Sequence, residues 1–110
     1  MFKRENRLVF GTKFNNSQSI SIPQFNLKVK KNEMGINRFG IVVSKKVDKR
    51  AVIRNKLKRI FREALIELSK TMPSGHDILL ITKKEALGKT KEEEIILLKN
   101  ALEKLEVIKK

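Results

Sequence analysis

The chain has no cysteine, which excludes disulfides and thiolate metal sites. No run approaches the ~20 apolar residues of a membrane span. The opening stretch "MFKRENRL" has no apolar segment of the secretory kind. A soluble, intracellular chain of the cytoplasm is therefore expected. The single histidine, His76, stands in a turn beside Asp77, where a strand-capping turn residue is a simpler reading than a catalytic dyad. No nucleophile–base pair, Gly-rich phosphate loop or metal-ligand cluster is visible, so no catalytic residue, bound metal or cofactor is expected in the chain itself. Acid is also scarce. Twelve Asp and Glu stand against 26 Lys and Arg, a net charge of +14. Such a charge opposes compaction and attracts polyanions. Nucleic acid is the first candidate partner, with membrane surfaces and acidic proteins as competitors.

What is present suits one domain spanning 1–110, since 110 residues with 40% apolar content can bury a modest core. Residues 1–20 are polar and weakly patterned, with room for only a shortened first helix within 1–16 before Gly11 and "NNSQS" end it. In "SISIPQFNLKVKK", Phe25, Leu27 and Val29 alternate with Asn26, Lys28 and Lys30, the period of a half-buried strand. After the turn "NEMGIN", the run "RFGIVVSKK" reads as a second strand, expected to pair with the first as an antiparallel hairpin. Asp48 is a candidate N-cap for a long helix over about 49–71. "DILLI", residues 77–81, reads as a short buried strand. Thr90 with Glu93 forms a capping box for a last helix from 91 to about 109, with Ile95, Leu98, Leu102 and Leu105 as its core stripe.

The long helix carries the chemistry. At about 100° per residue, Ile53, Leu57, Ile60, Phe61, Ala64 and Leu68 gather on one side as a core stripe. Asn55, Lys58, Arg59 and Arg62 fall opposite, flanked by Arg54 and Lys56. A solvated charged face is the plain interpretation, and three features weigh against it. Between Lys45 and Arg62 there are nine cations and one acid. Like charges meet at Arg54/Lys58, Lys58/Arg62, Lys56/Arg59 and Arg59/Arg62, each opposing the isolated helix by roughly 0.2–0.5 kcal/mol. The cations also crowd the positive half of the helix dipole, while Glu63 and Glu67 lie towards its negative end. The last helix does the reverse, opening on Glu92, Glu93 and Glu94 and closing on Lys109 and Lys110. A phosphate backbone resolves the conflict in the basic helix, because anions gain from its cations and from the free N–H groups at its start. Arg forks suit phosphate, and Asn55 can add a hydrogen bond to a sugar or base edge.

The stretch "SKKVDKRAVIRNKLKRIFREA", residues 44–64, resembles the signature of the bacterial ribonuclease P protein component. That family carries an R-N-R-hydrophobic-K-R-x-x-R core after a strand ending in S-K-K; here the core runs from Arg54 to Arg62, with Lys56 in place of the second Arg. "KRENRL" and "GHDILLITKK" extend the resemblance over most of the chain. It implies an α+β fold, a small two-layer α/β sandwich with a mixed sheet, a superfold shared with a ribosomal-protein domain. The basic helix would lie in an unusual left-handed βαβ crossover, followed by a C-terminal helix. It implies an RNA-binding subunit that assists removal of the tRNA 5′ leader, with the RNA and its Mg²⁺ ions performing the hydrolysis. Arg50, Arg54, Asn55, Lys56, Lys58, Arg59 and Arg62 would bind the catalytic RNA. Phe10, Phe14, Lys28, Lys45 and Lys46 would line the cleft for the leader of precursor tRNA. Because the first helix is shortened and Asn26 and Lys28 replace aliphatic strand positions, leader binding would rest more on charge than on stacking. A ribosomal or translation-factor-like RNA-binding domain is the alternative. A DNA module is disfavoured, since no helix-turn-helix or zipper surrounds the basic helix.

Overall fold

The computed structural model describes residues 17–105 and 107. In chain order these form strands β1 (Gln18–Ser21), β2 (Phe25–Lys31) and β3 (Arg38–Val42), helix α1 (Ala51–Ser69), strand β4 (His76–Thr82) and helix α2 (Lys91–Lys104). A short 3₁₀ turn, Lys84–Ala86, links β4 to α2. The alternation read in β2 is realised: Phe25, Leu27 and Val29 are buried and their polar neighbours are not. Matching positions on Phe39, Ile78 and Leu80 extend that apolar face across the sheet, none of the six being more than 4% exposed. Helix α1 covers the face with Leu57, Phe61, Ala64, Leu65 and Leu68. The Phe61 ring meets Phe25 edge-on, centroids 5.8 Å apart. Burial of such side chains contributes roughly 1.5–3 kcal/mol each. Helix α2 adds Leu98, Ala101 and Leu102, which completes a mixed α+β sandwich of one sheet and two helices.

The strand pairing differs from the expected hairpin. The order is β1-β2-β4-β3, so β4 lies between the two strands that the turn at 32–37 joins. β2 pairs with β4 antiparallel, and β3 pairs with β4 in parallel. A parallel pair requires a long crossover, which α1 supplies. One interaction fixes this arrangement at its lower end. The buried Asp77 carboxylate accepts Nε and Nη2 of Arg38 at 2.7 and 2.6 Å and Nδ2 of Asn32 at 2.8 Å. Burial pushes the Asp77 carboxyl up, but those hydrogen bonds outweigh it and hold the group below its usual range. His76 takes no part; its Nδ1 lies 3.3 Å from the Pro73 carbonyl. β1 is a further departure, because Pro23 interrupts what reads as one long strand and Ile22 turns back to hydrogen-bond Phe25.

Both helices differ from expectation in detail. Asp48 does not cap α1, whose N-cap is Arg50, a residue whose side chain makes no capping hydrogen bond to the helix. Ile53 and Ile60 are only half-buried, whereas Leu65 belongs to the core. In α2 the capping box forms as read, with Glu93 N–H donating to Thr90 Oγ1 at 3.2 Å and Thr90 N–H to Glu93 Oε1 at 3.1 Å. The helix ends at Lys104, and residues 106 and 108–110 lie outside the described part. Glu94 is not a solvated dipole partner. It is 0% exposed, and neither carboxylate oxygen has a hydrogen-bond partner among the described residues. Burial pushes its carboxyl up to about 7, against the pull of nearby Lys89.

Candidate nucleic-acid interface

Helix α1 begins without the usual anionic support. Its first turn holds no acid, and no side chain caps its free N–H groups. The turn before it is instead organised by Asp48 and two arginines. Asp48 Oδ1 accepts the Arg50 backbone N–H at 2.8 Å and Nε at 3.1 Å, and Oδ2 accepts Nη2 at 2.9 Å. These bonds hold the Asp48 carboxyl down at about 2. Arg54 reaches back from the helix, its Nη1 donating to the carbonyls of Asp48 at 3.1 Å and Lys49 at 2.8 Å. Two of the expected RNA-binding cations, Arg50 and Arg54, are thus engaged in shaping the helix entry.

The outward stripe of α1 is Val52, Asn55, Lys56 and Arg59, at the i, i+3, i+4, i+7 spacing of one face. These four side chains line a shallow concavity of about 310 Å³. Val52 is 77% exposed. The face is rotated relative to the expectation: Lys56 joins its centre, while Lys58 and Arg62 move to a half-buried flank. The reason is the core stripe, which centres on Leu57, Phe61, Leu65 and Leu68 once Ile53 and Ile60 are left outside. Among the described residues, Lys56, Lys58, Arg59 and Arg62 have no acid within ion-pairing distance. The charge of this surface is thus not balanced by ion pairs among the described residues.

The opposite face of the sheet is open and mixed in character. Register places Asn26, Ile81 and Val42 in one row, and Lys28, Leu79 and Gly40 in the next. Lys28, Leu79 and Ile81 are half-buried, and Val42 is 43% exposed. The aliphatic character that β2 lacks at Asn26 and Lys28 is supplied here by β4 and β3. Sequence reasoning missed Leu79 and Ile81 because "DILLI" reads as buried on both faces, and Val42 because it reads as part of a continuous apolar run in "RFGIVV". Lys45 and Lys46 are exposed in the turn that leaves β3 at its Val42 end. Phe10 and Phe14 lie outside the described residues. No group of three or more His, Asp or Glu among the described residues could hold a metal ion.

Similarity to known proteins agrees with this architecture. The sequence model of the ribonuclease P family matches residues 2–106. The ribonuclease P protein component of Bacillus mycoides is 36% identical over 96 residues, covering 83% of each chain. That of Yersinia enterocolitica is 37% identical over 86 residues, covering 74% of this chain and 72% of its own. The RNase P protein of Staphylococcus aureus superimposes with a TM-score of 0.73 at 31% identity, covering 84% of each chain. That of Thermotoga maritima gives 0.61 at 32% identity, covering 82% of this chain and 81% of its own. With a cationic stripe on the crossover helix and these relatives spanning most of its length, the chain belongs to the ribonuclease P protein family.

Proposed function

We propose that this chain is the RNA-binding protein subunit of ribonuclease P, which pairs with the catalytic RNA and assists endonucleolytic removal of the precursor-tRNA 5′ leader. The observation that carries the reading is the exposed stripe of Asn55, Lys56 and Arg59, whose cations have no acid partner among the described residues. Phosphates of a folded RNA supply the missing anions, and Lys58 and Arg62 extend the contact along one flank. Arg50 and Arg54 act partly through the helix entry, which they hold in place. The open face of the sheet is the proposed seat of the leader. Lys28, Lys45 and Lys46 would meet its phosphates there, and Leu79, Ile81 and Val42 would give its bases an apolar surface.

In this scheme the protein supplies affinity and position, the hydrolysis belongs to the RNA, and Mg²⁺ serves the assembled particle. No described helix is long and apolar enough to cross a membrane; the proposed site of action is the cytoplasm, where precursor tRNA is processed. The direct test is reconstitution with ribonuclease P RNA at low Mg²⁺, measuring release of the 5′ leader. Stimulation by the protein is expected, and its absence rejects the proposal. Sequencing the RNA that co-purifies from cells separates this function from a ribosomal one, since ribosomal RNA would then predominate.

A further inference from the structure

Ile53 and Ile60 are apolar at core spacing, yet both remain half-exposed. They do not face open solvent on a bare helix surface. With Leu57 and, from across, Leu87, they floor a groove of about 540 Å³ between the start of α1 and the turn that leads into α2. That volume lies within the ~300–1,000 Å³ range of small-ligand sites. The far wall stays low for a local reason. The chain passes through Gly88 at φ +80° and enters α2 at Thr90, with its capping box turned to the helix. No bulky side chain is available at position 88 to close the gap.

The rim has the opposite character to the floor. Arg50, Lys56 and Lys89 line the groove with one carboxylate, Asp48, which is already bonded to Arg50 at 2.9 Å. The Glu93 carboxylate, behind the lining, accepts the Thr90 N–H and lies near Lys89, so cations remain in excess. An apolar floor beneath an excess of cations fits a planar, weakly polar ring that carries an anion. Lys56 lines both this groove and the exposed stripe of α1. An RNA strand on that stripe therefore passes the mouth of the groove. We infer that the groove receives one unstacked nucleotide of the bound RNA, its base on Ile53, Ile60 and Leu87 and its phosphate on Arg50, Lys56 and Lys89. Extruded bases are held in this way between apolar side chains. The inference rests on the RNA-binding role proposed above and adds a base-reading subsite to a surface otherwise directed at phosphate.

Two measurements test it. In the full-length chain with labelled Ile and Leu methyl groups, a purine mononucleotide is expected to shift the Ile53, Ile60 and Leu87 resonances, whereas ribose 5-phosphate is not. Equal responses to both, no response to either, or a response only to an acidic aliphatic peptide would overturn the subsite. In the complex with ribonuclease P RNA, the neutral variants Ile53→Asn and Ile60→Ser are expected to weaken binding roughly five- to tenfold, the lower range for one stacked base. The salt dependence should stay unchanged, and one base protected by the wild-type protein should become reactive to chemical probing. Two variants are used so that a folding defect in one does not decide the result. If the wild-type protein binds and stimulates the RNA but both folded variants give its affinity and footprint, the subsite is wrong and the subunit role stands. If the wild-type protein does not bind that RNA, the subunit role itself fails.

Discussion

Helices α1 and α2 both set an apolar stripe against charged residues, yet they obey opposite electrostatic rules. α2 has Glu92, Glu93 and Glu94 in its first turn, a capping box and Lys104 in its last turn. α1 has no acid in its first turn, no side-chain cap and no cation in its last turn. The helix dipole favours the first arrangement by ~0.3–1 kcal/mol per well-placed charge. One chain thus contains a helix whose polar surface is arranged for its own stability and another whose surface is not. The difference points to the proposed function: the cost accepted in α1 is offset by no acid among the described residues and would be recovered on the proposed RNA. α2 has its own exception, Glu94, which lies in the first turn yet points into the core.

The contrast can be broken from either side. The largest effect is expected from Lys56→Glu with Arg59→Glu, which reverses the centre of the α1 stripe. Affinity for ribonuclease P RNA should fall at least on the order of 100-fold, since charge-assisted contacts contribute ~1.5–3 kcal/mol each. The circular-dichroism spectrum should not change, because both side chains are exposed.

Next in size is Glu94. Its folded-state pKa of about 7 lies above the ordinary 4.5, so the folded protein holds this proton more tightly than the unfolded chain. The contribution to stability is therefore most favourable at low pH, declines as pH rises from about 4.5 to about 7, and is flat above. Glu94→Gln should raise stability at pH 8 by roughly 1–2 kcal/mol, after allowance for solvent screening, and leave it unchanged near pH 4. Denaturant midpoints at the two pH values check this.

Smaller effects sharpen the comparison. Thr90→Ala removes a cap from α2 and should cost about 1 kcal/mol in thermal unfolding. Val52→Glu installs in α1 the first-turn acid that α2 already has. It should stabilise the fold by ~0.3–1 kcal/mol while weakening RNA binding. A variant that gained on both counts would remove the trade-off on which the contrast rests.

Much of this was legible in the residues, and the exceptions have physical causes. The period of Phe25, Leu27 and Val29 and the Thr90/Glu93 cap are local signals, and both are realised. Pairing is not local. The turn at 32–37 suggests adjacent strands, but the central place goes to β4, whose continuous apolar run suits a strand with neighbours on both sides. Glu94 stands four residues before Leu98 on the buried stripe of α2, a position that could have been read from spacing had the acid not matched the dipole so well. The basic face of α1 was visible as charge, but its centre was not. That depended on Ile53 and Ile60 staying out of the core, which only the placement of α2 and the turn at 87–90 determines.

The most direct test is the salt dependence of binding to ribonuclease P RNA. If Lys56, Lys58, Arg59 and Arg62 of α1 grip phosphates, about four contacts give a slope of log affinity against log salt on the order of −3 to −4, reduced by about one unit in Arg59→Gln. A slope near zero, or one that Arg59→Gln leaves unchanged, would contradict the electrostatic role of the helix.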